Sequence, residues 1–308
     1  MASWKQLPEV GSVLGIRLLV AFARVFGRRV AGWFLYIIAF YYALFARTAR
    51  RSSRDYLRRI GQPATFGTTV RHIQMFAQVA LDRLFFLTGK LAPFTFEHHG
   101  HEMLVEAAAA KRGVVLLGAH LGSFEVMRAL GKAYQLPINV VVDFSNAEKI
   151  NGVLRSLAPD MQTNLISLAD DSLAAMLAIR AAIERGELVA ILADRTPQPP
   201  RPAKRGTVAK RERTVLANFL GAPAAFPAGP WVLAHSLRCP VYFVTGLYVK
   251  PNHYALHLEV LAEQVKLDRN DRPAALARYA QAYASMLETY TRAAPLNWFN
   301  FYDFWSAT

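Results

Sequence analysis

The pattern of apolar and polar positions divides the chain into two parts. Residues 30–46 form one uncharged apolar run, which predicts a helix. Beyond residue 93, short runs of β-forming residues alternate with stretches of helical periodicity. This alternation predicts an α/β fold with a mainly parallel central sheet flanked by helices. The predicted strands are residues 114–117, 138–142, 164–168, 188–192, 241–249 and 254–261, and the predicted helices are residues 124–134, 147–157, 173–184, 231–236 and 274–291. Residues 250–253, Lys-Pro-Asn-His, are typical of a hairpin turn between the last two strands.

The apolar run has the features of a membrane anchor. As a helix its 17 residues span about 25 Å, at the lower edge of transmembrane lengths. Its Trp33, Tyr36, Tyr41 and Tyr42 are residue types found at the headgroup boundary. The arginines of residues 47–59 would place the body on the cytoplasmic side, although Arg28 and Arg29 on the other flank weaken that orientation. We predict a helical anchor in residues 1–59, spanning or interfacial; the alternative is a buried core helix.

The charge is concentrated in two segments. The 36 Lys and Arg exceed the 22 Asp and Glu by 14, with a net charge of +9 in residues 1–59 and +6 in residues 195–213. Such patches attract phosphate headgroups, nucleic acid or an acidic protein. No nucleic-acid-binding module is recognisable and the charge flanks an apolar run, so we predict no nucleic-acid partner. The single cysteine, Cys239, excludes an internal disulfide and favours a reducing compartment.

The candidate chemistry lies after the first predicted parallel strand, in Gly118-Ala-His-Leu-Gly-Ser-Phe-Glu125. Ligands of open α/β sheets bind at the carboxyl ends of strands. A turn imidazole, His120, oriented by Glu125 in the following helix would be a general base for a hydroxyl or an amine. Gly122 permits a tight bend, and amides at the helix N-terminus can stabilise an oxyanion. On spacing alone, a merely structural histidine and a glutamate favoured by the helix dipole stay an open alternative.

Several blocks together resemble one family. Residues 113–125, GVVLLGAHLGSFE, resemble the His-x4-Asp/Glu motif of the lysophospholipid acyltransferase superfamily, and the closest branch is the late acyltransferases of lipid A biosynthesis. The resemblance covers about residues 10–308. Its further blocks are Leu-Ala-Asp194-Arg195 with the basic loop after it, FPAGPWVLA at residues 226–234 and PLNWF at residues 295–299.

The resemblance implies an enzyme and a set of site residues. Members transfer an acyl chain from an acyl carrier protein or coenzyme A thioester to a membrane lipid, without metal or cofactor. By position, His120 would be the base and Glu125 its orienting partner. The implied substrate-binding residues are Gly122, Ser123, Arg155, Asp194, Arg195 and Gly229. We therefore expect an acyltransferase domain in residues 60–308, on the cytoplasmic side of a bacterial-type inner membrane.

Other functions stay open at this point. A membrane thioesterase or lipid hydrolase would use the same site with water as the acceptor. A basic nucleic-acid-binding protein is a further alternative that the net charge suggests, and a non-catalytic membrane adaptor would have no use for the site. The basic loop, residues 196–213, is expected to be a lid or to meet an acidic carrier protein or lipid phosphates.

The C-terminal segment departs from the lipid A branch. Six of the eight residues from Trp298 to Trp305 are aromatic, and Asp303 stands where basic residues usually follow. This puts a sugar-phosphate acceptor in doubt and leaves room for another lipid or for an aryl or polyketide-like acyl group. The alternative is an aromatic tail packed on the core or at the membrane interface.

A histidine-rich segment, residues 97–102, is interpreted as a surface strand. Its adjacent His98 and His99 would lie on opposite strand faces, which is unsuited to a zinc site.

Overall fold

A computed structural model describes residues 13–142, 165–168, 172–195 and 214–305. The helices are α1 (Val13–Phe45), α2 (Arg47–Arg59), α3 (Phe66–Leu87), α4 (Glu102–Ala109), α5 (Phe124–Ala133), α6 (Ser172–Glu184), α7 (Gly229–Leu237) and α8 (Arg272–Ala293). The strands are β1 (Thr95–His99), β2 (Val114–Gly118), β3 (Ile138–Val142), β4 (Leu165–Ser167), β5 (Leu188–Leu192), β6 (Thr214–Phe219), β7 (Ala222–Pro227), β8 (Val241–Lys250) and β9 (His253–Ala262). All six predicted strands are present, while the predicted helix at residues 147–157 lies outside the described residues.

Within the described residues, seven strands form the central sheet, in the order β1-β9-β8-β2-β5-β3-β4. Every neighbouring pair is parallel except β8 and β9, which are antiparallel. The predicted α/β fold with a mostly parallel sheet is therefore confirmed, as is the hairpin turn between the last two strands. Strands β6 and β7 form a separate antiparallel hairpin that the periodicity did not predict.

Helices cover both faces of the sheet, which explains the unbroken apolar character of β2. All five β2 residues are buried. Val115 and Leu117 pack in one core with Tyr56 of α2 and with α8, whereas Val114 and Leu116 pack in a second core with α3 and α5. Alternate residues of a strand point to opposite faces, so a strand buried on both faces has no polar positions.

Helix α1 packs on α3 through one narrow face and leaves the other side exposed. It is broken at Gly27, whose φ of 78° and ψ of 167° are not helical. The packed face carries mostly small residues at a spacing of four: Ala31, Leu35, Ala39 and Ala43. In the described part of the chain, no single helix is long and apolar enough to cross a membrane. The bent pair Val25–Phe45 and Arg47–Arg59, which meet at 97°, qualifies together on length and composition.

Arg28, one of the cations of the N-terminal basic segment, forms an ion pair inside the protein. It contacts both carboxylate oxygens of Asp82 at 2.5 Å, and both side chains are buried. Asp82 also accepts hydrogen bonds from Gln78 at 3.0 Å and from the Tyr254 hydroxyl at 2.7 Å. This network ties α1 to α3 and to β9, directly after the break at Gly27.

Candidate functional site

The turn after β2 is shaped by Gly122. Its φ is +68°, and a Cβ atom there would lie 2.1 Å from the carbonyl oxygen of Gly246. The next residue, Ser123, donates its amide to that same oxygen at 2.7 Å. Only glycine fits such a close approach at positive φ, so the tight bend expected at Gly122 is present.

His120 on this turn is held by Asp194. The distance between His120 Nδ1 and Asp194 Oδ1 is 2.8 Å, and the backbone amide of His120 donates to Asp194 Oδ2 at 3.0 Å. Strands β2 and β5 are parallel neighbours with Gly118 opposite Leu192. Each side chain stands two residues beyond its strand, so the sheet itself brings the two together at its carboxyl edge.

Burial and neighbouring charge set the protonation of this pair. Burial, with a contribution from Arg195, lowers the pKa of His120, although Asp194 acts in the opposite direction. Burial alone would raise the pKa of Asp194, but the charge and hydrogen bonds of His120 outweigh it and lower that pKa. At neutral pH Asp194 is therefore ionised. Its partner His120 is neutral, with the proton on Nδ1 and a lone pair on Nε2.

Glu125 lies in a different contact from the one expected. Its Oε1 is 2.6 Å from Nε of Arg83 on α3. Glu125 was expected to orient His120, but the carboxylate that contacts Nδ1 of the imidazole is that of Asp194. Glu125 still acts on His120 through its charge, which raises the pKa of the imidazole.

The other predicted substrate residues have different surroundings. Arg195 donates from Nη2 to the carbonyl of Phe299 at 2.8 Å, beside His120. The Ser123 side chain is buried under the turn, and its hydroxyl has no hydrogen-bond partner among the described residues. Gly229 is exposed at the start of α7. Arg155 and the basic loop lie outside the described residues.

Two amides of the turn are already occupied. The Gly122 amide donates to the carbonyl of Asn297 at 2.8 Å, and the Ser123 amide donates to Gly246. The expectation that helix N-terminal amides receive an oxyanion therefore finds no free donor in these two residues.

The C-terminal aromatic segment is packed on the core, as one of the two alternatives from the sequence had it, and its contact with the His120 turn was not predicted. Trp298 pairs with Leu121 as an antiparallel bridge, and the Phe299 amide donates to the carbonyl of His120 at 2.8 Å. The Trp298 indole Nε1 donates to Asp194 Oδ2 at 3.3 Å. Most of the aromatic side chains are buried: Trp298, Phe299, Phe304 and Trp305. The family resemblance of PLNWF was a signal for this segment, but nothing local in it points to His120.

Residues 97–99 of the histidine-rich segment lie on the edge strand β1, as interpreted from the sequence, whereas Gly100 and His101 lie in a turn and Glu102 begins α4. His99 stacks on His257 at 4.5 Å between ring centroids, while His98 contacts His101 and Tyr134. Within the residues that the structure describes, no group of three or more His, Cys, Asp or Glu side chains is arranged to hold a metal ion.

Comparison with known proteins identifies the family. The family model described as bacterial lipid A biosynthesis acyltransferase matches residues 68–306, which include β2, the His120 turn, Asp194 and the C-terminal segment. A search of curated proteins returns no match. Because the family match covers most of the chain, this protein belongs to the bacterial lipid A biosynthesis acyltransferase family and is an acyltransferase.

Proposed function

We propose that this acyltransferase moves an acyl chain from an acyl carrier protein or coenzyme A thioester to a hydroxyl or amine of a membrane lipid, with His120 as the general base. The observation that carries the proposal is the 2.8 Å contact between His120 Nδ1 and the buried carboxylate of Asp194. That contact directs the lone pair of Nε2 away from Asp194, on a ring that is 30% exposed. A base with this tautomer can reach an incoming substrate.

In this mechanism His120 carries a proton from the lipid acceptor to the leaving thiolate. Nε2 of His120 takes the proton of the acceptor hydroxyl or amine as that group attacks the thioester carbonyl carbon. The tetrahedral intermediate then breaks its C–S bond, and the leaving thiolate takes the proton from Nε2. The products are an acylated lipid and a free thiol, with His120 neutral again. Asp194 stabilises the transient imidazolium, as in other carboxylate–histidine pairs.

Positive charge beside His120 supports the acyl-transfer step. Arg195 donates to the carbonyl of Phe299, whose amide binds the His120 carbonyl, and from this position its charge would favour the negative charge of a tetrahedral intermediate. We assign Arg195 this electrostatic role, with Gly122, Ser123, Arg155 and Gly229 kept as proposed substrate-site residues. Glu125, paired with Arg83, is proposed to position the start of α5 rather than the imidazole.

Membrane association is proposed through the exposed side of α1. Trp33 is 80% exposed, Ile37 is 65% exposed and Tyr41 is 63% exposed. The other exposed large apolar side chains of this helix are Val25, Phe26, Val30, Phe34, Tyr36, Ile38, Phe40, Leu44 and Phe45. An exposed apolar face of this size marks an interaction site, and its Trp and Tyr residues suit the headgroup region of a membrane.

The arginines of α2 extend this surface. Arg47, Arg51, Arg54 and Arg58 follow one another at helical spacing, opposite the buried Ser53 and Tyr56 face. Among the described residues, none of the four has a carboxylate within ion-pair distance. Such a stripe attracts the phosphates of an anionic leaflet. We therefore keep the proposals of an anchoring region in residues 1–59, an acyltransferase domain in residues 60–308 and a site on the cytoplasmic side of a bacterial-type inner membrane.

The test is acyl transfer by membranes that contain the protein. Labelled acyl thioester is supplied, and the label is followed into lipid and into free fatty acid. We expect label in lipid, and His120→Ala should lower the rate by at least about 10³-fold, as loss of a general base on a positioned substrate does. His99→Ala, on the exposed edge strand, is the matched control and should keep full activity. Release of free fatty acid without labelled lipid would identify a hydrolase instead, and full activity of His120→Ala would remove His120 from the mechanism.

A further inference from the structure

The C-terminal segment 297–299 holds the catalytic turn from outside. The Gly122 amide donates to the Asn297 carbonyl, and the Phe299 amide donates to the His120 carbonyl, both at 2.8 Å. Asn297 is in turn fixed on β8, where its side chain receives the Tyr248 amide at 2.8 Å and donates to the Tyr248 carbonyl at 3.1 Å. The backbone on both sides of Leu121, the residue after His120, is thus tied to a segment that begins more than 170 residues later in the chain.

One side chain of this segment reaches the catalytic pair itself. Trp298 is fully buried, and its indole N–H donates to Asp194 Oδ2 at 3.3 Å. Asp194 Oδ2 also receives the His120 amide, and Oδ1 receives His120 Nδ1. Three N–H groups therefore fix the plane of one carboxylate. A hydrogen bond to an ionised carboxylate both orients it and stabilises its charge.

We propose that Trp298 is a positioning residue of this acyltransferase, acting on His120 through the carboxylate of Asp194. The indole holds the carboxylate in the plane in which Oδ1 meets Nδ1 of His120. The indole N–H also stabilises the negative charge of the Asp194 carboxylate, and this weakens the attraction between Asp194 and the protonated imidazole of His120. The inference rests on the proposed function, because it requires His120 to be the base.

The packing of the indole ring is separable from its N–H group. The ring contacts Tyr56 at 5.0 Å, Phe219 at 5.1 Å and Phe304 at 4.9 Å between centroids. Phenylalanine at position 298 retains an aromatic ring among these partners and loses the donor. Trp305 offers a matched control, because its indole donates to the Phe219 carbonyl, also at 3.3 Å, in the same cluster and away from His120.

The experiment compares Trp298→Phe with Trp305→Phe in acyl transfer and in nuclear magnetic resonance of the histidine side chains. We expect Trp298→Phe to lower kcat about tenfold with KM within about twofold, because a misplaced catalytic group affects the transition state more than substrate binding. Asp194 then has one donor fewer and holds the imidazolium more strongly. The pKa of His120, and the acid limb of kcat/KM with it, should therefore rise by about half a pH unit. Trp305→Phe should change neither quantity.

The outcomes separate this inference from the proposed function. If His120→Ala is inactive, and Trp298→Phe and Trp305→Phe have the same kcat and the same pKa of His120, the positioning role of Trp298 is wrong while His120 remains the general base. If Trp298→Phe loses thermal stability and activity but the pKa of His120 in its folded fraction is unmoved, Trp298 is a packing residue and the inference is overturned. If His120→Ala is fully active, the proposed function itself fails.

Discussion

Two carboxylates, those of Asp194 and Glu125, lie near the imidazole of His120, and their contacts decide which of them orients the ring. Asp194 is buried and makes two hydrogen bonds with His120, one of them through Nδ1. Glu125 is 18% exposed and is paired with Arg83. A carboxylate that contacts Nδ1 fixes the tautomer, whereas a carboxylate at a distance contributes only Coulomb energy, which water and a neighbouring cation reduce.

A pair of isosteric variants separates these roles. Asp194→Asn is expected to lower kcat by about 10³-fold, since the amide cannot hold Nδ1 as a protonated donor and stabilise the imidazolium. Glu125→Gln, which removes the same charge from the other position, should cost less than about tenfold. Steady-state kinetics of both variants with the same acyl thioester measure the difference. Equal losses, or a larger loss in Glu125→Gln, would restore Glu125 as the orienting partner.

Packing between helices α2 and α3 and the C-terminal segment depends on a buried histidine. His72 of α3 is fully buried, with Nδ1 at 2.9 Å from the Ser53 hydroxyl of α2 and Nε2 at 2.9 Å from the Trp298 carbonyl. Burial lowers the pKa of His72 to about 4. The neutral ring thus accepts a hydrogen bond from α2 and donates one to the C-terminal segment, which in turn binds the His120 turn.

This burial predicts how stability depends on pH. Between pH 6.5 and about 4 the unfolded chain binds a proton at His72 that the folded protein does not, so the free energy of unfolding falls as the pH is lowered through this window. The loss amounts to about 3 kcal/mol for a shift of this size. Denaturant unfolding at several pH values should show a flatter pH dependence in His72→Gln than in the wild type. Parallel curves for the two proteins would show that His72 titrates normally, and His99→Gln, an exposed histidine, serves as the control.

The molecule as a whole presents one apolar and one basic surface on the same N-terminal pair of helices. Small residues bury one side of α1 against α3, and this leaves the large aromatic and aliphatic side chains on the other side in water. The buried Arg28–Asp82 pair holds that helix to the body. A helix fixed in this way presents its apolar face as part of a rigid surface, so docking on a bilayer would set the position of the His120 edge relative to the lipid.

Binding to vesicles tests this surface. Trp33→Asp combined with Ile37→Asp should weaken binding to vesicles of phosphatidylglycerol and phosphatidylethanolamine by more than about tenfold, because each side chain gains roughly 1.5–3 kcal/mol on burial. Co-sedimentation measures the bound fraction. Leu173→Asp combined with Leu177→Asp on α6, where the two leucines are 67% and 58% exposed, is the matched control. Equal binding of both double variants would exclude α1 as the docking surface.

Arginine substitutions test the second half of the same surface. Arg47→Glu combined with Arg51→Glu should reduce binding at low salt and remove part of its salt dependence, since each arginine near an anionic leaflet contributes about 1 kcal/mol.

Much of the fold was predictable because the signals are local. Strand β5 is a run of five apolar residues that begins directly after Glu187, and its ends were predicted correctly. The β6–β7 hairpin was not predicted, since β6 mixes exposed and buried positions and β7 contains two prolines. The turn at His120 was recognisable from its position after a strand and from Gly122, but its partner was assigned to the nearest carboxylate in sequence.

What the sequence by itself determined is the alternating α/β order, the turn histidine after β2, the apolar N-terminal run and the family. The first three are encoded in neighbouring residues, because periodicity and turn chemistry act over a few positions, and the family is indicated by several short blocks along the chain. Only the tertiary structure decided which residues meet His120. Asp194 holds His120 although it lies 74 residues away in the chain, and Trp298 contacts the Asp194 carboxylate from a further 104 residues along. The structure also decided that Arg28 is paired with Asp82 inside the protein. Those contacts follow from strand order and helix packing, which bring together residues that are distant in the chain. Neighbouring residues therefore carry no signal from which these contacts could be predicted.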